Sequence, residues 1–160
     1  MPRVEINEDP ALSSVPQALL ASTGFLLARL GSESRKRFTR GLAKHGLRPS
    51  HYGVLMAIAE IGMTSQQQLA EIIGIDPRNA VGIIDLLEER GLAERGVDPT
   101  DRRRHGITLT ASGRVLLGEL RGESDELERE MVADLDAAER VLLHDLLLKL
   151  LPAAAKNGRT

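Results

Sequence analysis

The chain has no cysteine and no tryptophan. Without cysteine there is no disulfide, no thiolate zinc site and no thiol that could sense oxidants, a pattern that fits a reducing cytoplasm. Aromatic residues are almost missing: Phe25, Phe38 and Tyr52 are the full set. A core built from Leu, Ile, Val and Ala suits helices better than a β-sandwich. Long apolar runs are missing as well. The best candidate, Val141 to Leu151, is broken by His144, Asp145 and Lys149, and falls short of the roughly 20 apolar residues of a membrane span. The first residues, MPRVEINEDPALSSVP, contain no apolar run of signal-peptide type. Neither G-x-S-x-G, nor a phosphate-cradling glycine loop, nor a paired metal motif is present, so an enzyme is not expected and no cofactor is called for. His45, His51, His105 and His144 lie far apart and lack metal-ligand spacing.

There is also no excess of positive charge: the net charge is −2 over 160 residues. Its distribution carries more information. Arg35, Lys36, Arg37, Arg40, Lys44 and Arg48 fall in a stretch without an acid, whereas nine acids lie between Glu119 and Glu139. A polarised molecule is expected, with one side suited to phosphates. Two solvated helix faces would explain the same pattern.

With 42% hydrophobic residues the chain can bury a core. Residues 1–11 read as a loose polar arm. Apolar residues at helical spacing predict a helix from Ser14 to His45, stopped by Gly46. Pro49 starts a second helix, which runs to about Ile61. Thr64 to Gln67 reads as a capping box, with Thr64 capping the Gln67 amide and opening a short helix that stops at Gly74. Asp76 and Pro77 then supply an N-cap and first position for a helix to Arg90. Leu92 to Val97 and Gly106 to Thr110 alternate as two strands around the charged segment DPTDRRRH, Asp98 to His105. Thr110 caps a long helix from Ala111 into the 130s. Asp136 to Glu139 is a second capping box, opening a helix that is apolar almost all round. The order is α-α-α-α-β-β-α-α, mostly α with a small two-stranded β-wing.

Two short helices around a tight turn at Gly74 form a helix-turn-helix, with Pro77 to Arg90 as the recognition element. Arg78 can bond guanine N7 and O6 together, and Asn79 can bond adenine N6 and N7. The small residues Ala80 and Gly82 are expected to let the helix sit deep in a groove, and the helix N-terminus favours nearby phosphates. Ser65 and Gln66 can donate to phosphates and fix register. A plain helical bundle would also contain such a pair of helices. Three consecutive arginines, Arg102, Arg103 and Arg104, at a hairpin tip repel each other and serve no core. The concentrated negative potential of a minor groove accounts for them.

The segment TSQQQLAEIIGIDPRNAVGIIDLLEERGLAERGVDPTDRRRHGITLTASG, Thr64 to Gly113, resembles the MarR (multiple antibiotic resistance) family of winged helix-turn-helix regulators. The likeness extends over roughly residues 15–150. Its most specific parts are the ERGL turn at Glu89 to Leu92, the DRRR run and ITLTASG. The resemblance implies that Asp101 braces the wing, that Arg103 enters the minor groove, and that two chains form an intertwined homodimer. The dimerisation helices would be about 14–46 and 111–152, and the DNA-binding region about 49–110. It further implies a ligand-responsive repressor of a pseudo-palindromic operator, with a small anionic or phenolic effector in a cleft between the first helix and the Pro49 to Ile61 helix. His51 and Tyr52 could face that cleft; alternatively, His51 is a helix-start residue and Tyr52 packs in the core. The cysteine of the family's peroxide-sensing branch is missing here. A competing reading is a helical interaction protein that docks partners on its acidic helix and binds no DNA.

Overall fold

The computed structural model describes residues 12–97 and 105–157. The described residues form α1 (Gln17–Leu20), α2 (Thr23–Lys44), α3 (Pro49–Ile61), α4 (Gln66–Ile73), α5 (Pro77–Glu89), β1 (Ala93–Val97), β2 (His105–Leu109), α6 (Ala111–Met131) and α7 (Ala137–Asn157). The expected order holds, with one addition. The first predicted helix is divided, because Ser22 adopts an extended conformation and its Oγ accepts from the Phe25 N–H at 3.4 Å, opening α2 afresh.

The capping box before α4 sits one residue later than the sequence suggested. Ser65 Oγ accepts from the Gln68 N–H at 3.2 Å, and Gln68 Oε1 accepts from the Ser65 N–H at 3.0 Å. Thr64 is unavailable for capping because its backbone is paired with β2. Thr64 N–H donates to the Ile107 carbonyl at 3.2 Å and Ile107 N–H donates to the Thr64 carbonyl at 2.8 Å. The second box is as expected: Asp136 Oδ1 accepts from the Glu139 N–H at 2.9 Å, and Glu139 Oε2 accepts from the Asp136 N–H at 2.9 Å.

The two strands pair antiparallel, from Ala93 opposite Leu109 to Val97 opposite His105. Beneath them lies a core in which Val54, Leu55, Ile58, Leu69, Ile84 and Leu87 are essentially without solvent contact. These side chains come from α3, α4 and α5, each presenting one apolar stripe. Thr110 joins the wing to α6: its Oγ1 donates to the Gly91 carbonyl at 2.6 Å and accepts from the Gly113 N–H at 3.0 Å. Gly113 is held so close to β1's start that a Cβ would overlap the Leu92 carbonyl. Only glycine permits this approach.

The basic and acidic segments are neighbours rather than opposite poles. Arg37 of α2 lies 3.8 Å from Glu130 of α6, and His45, just past the end of α2, places its Nε2 2.8 Å from Glu123 Oε1. Arg37 of the basic helix thus faces an acid of α6. In contrast, α7 covers nothing with its leucines. Every apolar side chain from Val141 to Leu151 is exposed, from 37% at Leu143 to 63% at Val141. Leu19, Leu26, Leu27 and Leu30 are exposed in the same way. Among the described residues, no helix is long and apolar enough to cross a membrane.

Candidate nucleic-acid interface

The outward face of α5 is set by its inward one. Ala80, Ile84 and Leu87 are buried, which turns Arg78, Gly82, Asp85 and Glu89 outward in one stripe. Arg78 and Asn79 are both exposed on the first turn, where base-reading side chains belong. Gly82 meets no atom around its Cβ position, so this face is open. Ala80 does not contribute to groove fit as expected: it is fully buried against the core.

The two helix N-termini of the helix-turn-helix differ in what they can offer an anion. At α5 every early donor is taken. Pro77 has no N–H. Arg78 N–H donates to Asp76 Oδ1 at 2.7 Å. Asn79 and Ala80 N–H donate to the Asp76 carbonyl at 2.9 and 3.2 Å. The Asp76 carboxylate also adds negative charge, so attraction for phosphate at this end comes from the Arg78 side chain. At α4 the Ser65 cap takes only the Gln68 N–H, and the Ser65 carbonyl takes the Leu69 N–H. The Gln66 and Gln67 amides have no acceptor among the described residues, and they point along a positive helix end. Ser65 and Gln66 are half-buried beside an open hollow of about 400 Å³, lined also by Arg95, Gly96, Val97, Gly106 and Ile107 at the base of the wing. The start of α4 and the wing therefore border one surface. Asp101, Arg102, Arg103 and Arg104 lie outside the described residues.

The sequence reading missed Arg95. Its guanidinium spans two carboxylates of α5: Nη2 lies 2.8 Å from Asp85 Oδ1, and Nη1 is paired with Glu88 Oε2. The Arg95 backbone N–H also donates to Glu88 Oε1 at 2.8 Å. Two acids three residues apart on a helix face, followed by a lone arginine in a strand, were the available signal.

His51 and Tyr52 lie where α2 meets α3. His51 is buried, and its Nδ1 accepts from the Arg48 N–H at 3.1 Å, capping α3. Burial, with Arg48 and Arg90 nearby, holds its pKa below the ordinary imidazole range. The ring is neutral at pH 7, with its proton placed on Nε2 by the acceptor role of Nδ1. Tyr52 meets Phe38 of α2 edge to face, ring centres 5.2 Å apart. Among the described residues, no three His, Cys, Asp or Glu side chains gather as metal ligands would.

Comparisons with known proteins agree with this arrangement. The MarR family profile matches residues 45–104. A candidate transcriptional regulatory protein for the hcr operon of Thauera aromatica is 32% identical over 134 residues, covering 83% of this chain and 81% of that protein. The crystal structure of CouR from Rhodococcus jostii RHA1 bound to p-coumaroyl-CoA is similar with 33% identity and a TM-score of 0.68, covering 84% of this chain and 95% of that one. BpsR of Bordetella bronchiseptica, whose DNA binding is regulated by 6-hydroxynicotinic acid, is similar with 29% identity and a TM-score of 0.64, covering 81% and 93%. The chain belongs to the MarR family of transcription regulators, with a winged helix-turn-helix as its DNA-binding unit.

Proposed function

We propose that the chain binds a pseudo-palindromic DNA operator as a homodimer, represses from it, and is released by a small anionic aromatic effector. The observation that carries the DNA part is the exposed pair Arg78 and Asn79 on the outward face of α5, next to the open amide end of α4. In this reading Arg78 and Asn79 contact base edges. Ser65 and Gln66 hold phosphate. Arg102, Arg103 and Arg104 enter the minor groove, with Asp101 bracing the wing.

The homodimer rests on the uncovered leucines of α2 and α7, which a second copy would bury. Residues 14–46 and 111–152 supply the dimerisation helices, and 49–110 the DNA-binding region. Two recognition helices would then read half-sites about one helical turn, roughly 10–10.5 bp, apart. The effector class is supported by the ligands of similar regulators: p-coumaroyl-CoA on CouR and 6-hydroxynicotinic acid on BpsR. The effector cleft would lie between α2 and α3, with Tyr52 in its wall. His51 would act there by fixing the start of α3. A cytoplasmic regulator without catalytic activity completes the reading.

Selection of bound duplexes from a random pool tests it. A dyad-symmetric consensus is expected. Arg78→Ala should lose about 1–3 kcal/mol and relax one position per half-site. An unchanged consensus in that variant removes Arg78 from base reading. Titrating phenolic acids, their thioesters, zinc and peroxide against the complex tests the effector. A full reversal of occupancy requires the ligand to prefer the released state by about 5.5 kcal/mol. Release by zinc or peroxide alone, with no response to any organic acid, would overturn the effector assignment.

A further inference from the structure

We propose that Arg95 is a positioning residue for operator binding: by spanning Asp85 and Glu88 it locks the wing to the recognition helix, so that both reach DNA as one rigid body. The inference rests on the DNA-binding reading above and adds a residue to it.

The argument starts from an imbalance. Asp85 lies on the outward stripe of α5 with Arg78, and Glu88 flanks it. Two carboxylates on a helix meant to lie against phosphates repel them. Nothing in the core needs these acids, since Asp85 and Glu88 side chains are 56% and 26% exposed. Their shared partner is Arg95 of β1, through its guanidinium and its backbone N–H. Asp85 and Glu88 stand three residues apart, on one helix face. The planar five-donor guanidinium fits two such acceptors, which an ammonium cannot do with the same geometry.

Exposed ion pairs add little to folding stability, and Arg95 is itself 43% exposed. The contact is better explained by geometry. A two-stranded hairpin is marginal alone. Thr64 holds β2 on its far edge, and Arg95 holds β1 on α5. Both edges of the wing are thus tied, one to the start of α4 and the other to the recognition helix. The angle between the two strands and α5 is set by this pair of ties. Arg95 also cancels charge that would otherwise face phosphate.

Opposite signs of effect make the proposal testable. The probe is the best duplex selected by the wild-type protein, compared with a scrambled duplex of equal length. Wild type, Asp85→Asn with Glu88→Gln, Arg95→Gln and Arg95→Lys are measured across a salt series. The doubly neutralised variant has lost two negative charges, so simple electrostatics predicts tighter binding to both duplexes. The clamp predicts at least a tenfold loss on the selected duplex and no loss on the scrambled one. Arg95→Gln should lose selected-duplex binding to a similar extent, Arg95→Lys less, and the triple neutral variant no more than Arg95→Gln. Melting temperatures should stay close to wild type. If the doubly neutralised variant binds the selected duplex as well as or better than wild type, Arg95 is a phosphate contact or a bystander and the clamp is refuted. A loss that follows a fall in melting temperature refutes it equally. Should wild type itself select no duplex, the DNA-binding reading fails first, and the two failures are told apart.

Discussion

The segment from Leu47 to Leu120 and the helix from Ala137 onward are both rich in leucine, yet they pack in opposite ways. In the first, apolar residues recur on one stripe of each helix and close over a shared interior, where Leu55, Leu69, Ile84 and Leu87 lose all solvent contact. In the second, Leu142, Leu143, Leu146, Leu147, Leu148, Leu150 and Leu151 wrap the helix, and all remain exposed. A stripe can be satisfied by neighbours in the same chain; a wrapped helix needs neighbours on several sides. The first segment thus closes over its own core within one subunit, whereas the leucines of α7 stay bare there, as the proposed homodimer requires.

The contrast can be broken most forcefully by removing α7. A chain ending at Ala138 should keep a folded winged helix but fall by about 100-fold or more in operator affinity, because two half-sites are no longer joined. Binding isotherms of the truncated and full chains check this, with circular dichroism to confirm the remaining helix. A smaller effect, confined to the closed half, is expected of Gly113→Ala. The added methyl would meet the Leu92 carbonyl, and backbone on backbone cannot yield as a flexible side chain would. A loss of about 2 kcal/mol is expected by urea unfolding. The same change at Gly118, where nothing lies around the Cβ position, should cost nothing.

The smallest effect concerns pH. His51 has a folded pKa below its ordinary value of 6.5, chiefly because it is buried. The unfolded chain therefore binds the proton more readily. His51's contribution to stability is present above about pH 6.5 and is lost as pH falls below it toward the folded value. Melting temperature should decline on acidification from pH 7.5 to about 5.5, and His51→Gln should reduce that decline. An equal decline in the variant would place the titrating group elsewhere.

Much of the fold was legible because its signals are local. Pro49, Gly74, Asp76 with Pro77, and Thr110 each mark a boundary through backbone chemistry that needs no partner, and each stands at that boundary. The errors arose where a distant segment competes. Thr64 resembles a cap until Ile107 claims its backbone, which moves the cap to Ser65. Ala80 has the size of a groove-facing residue but faces the core, since helix phase is fixed by Ile84 and Leu87. The basic and acidic stretches look like separate poles until α2 and α6 lie side by side. On α5, the exposure of Arg78 and Asn79 was legible from position alone. Arg95 was not, because its partners are seven and ten residues away on a different element.

On the proposed reading, the winged helix becomes a regulator only when two copies are joined through leucines that one subunit leaves bare. Sedimentation of the full chain with its selected duplex, at protein concentrations spanning the binding curve, decides the matter. Two chains per duplex, over a dyad whose half-sites are about 10–10.5 bp apart, are predicted, with the free protein also sedimenting as a dimer. One chain bound per duplex at full affinity, from a free protein that sediments as a monomer, would contradict it.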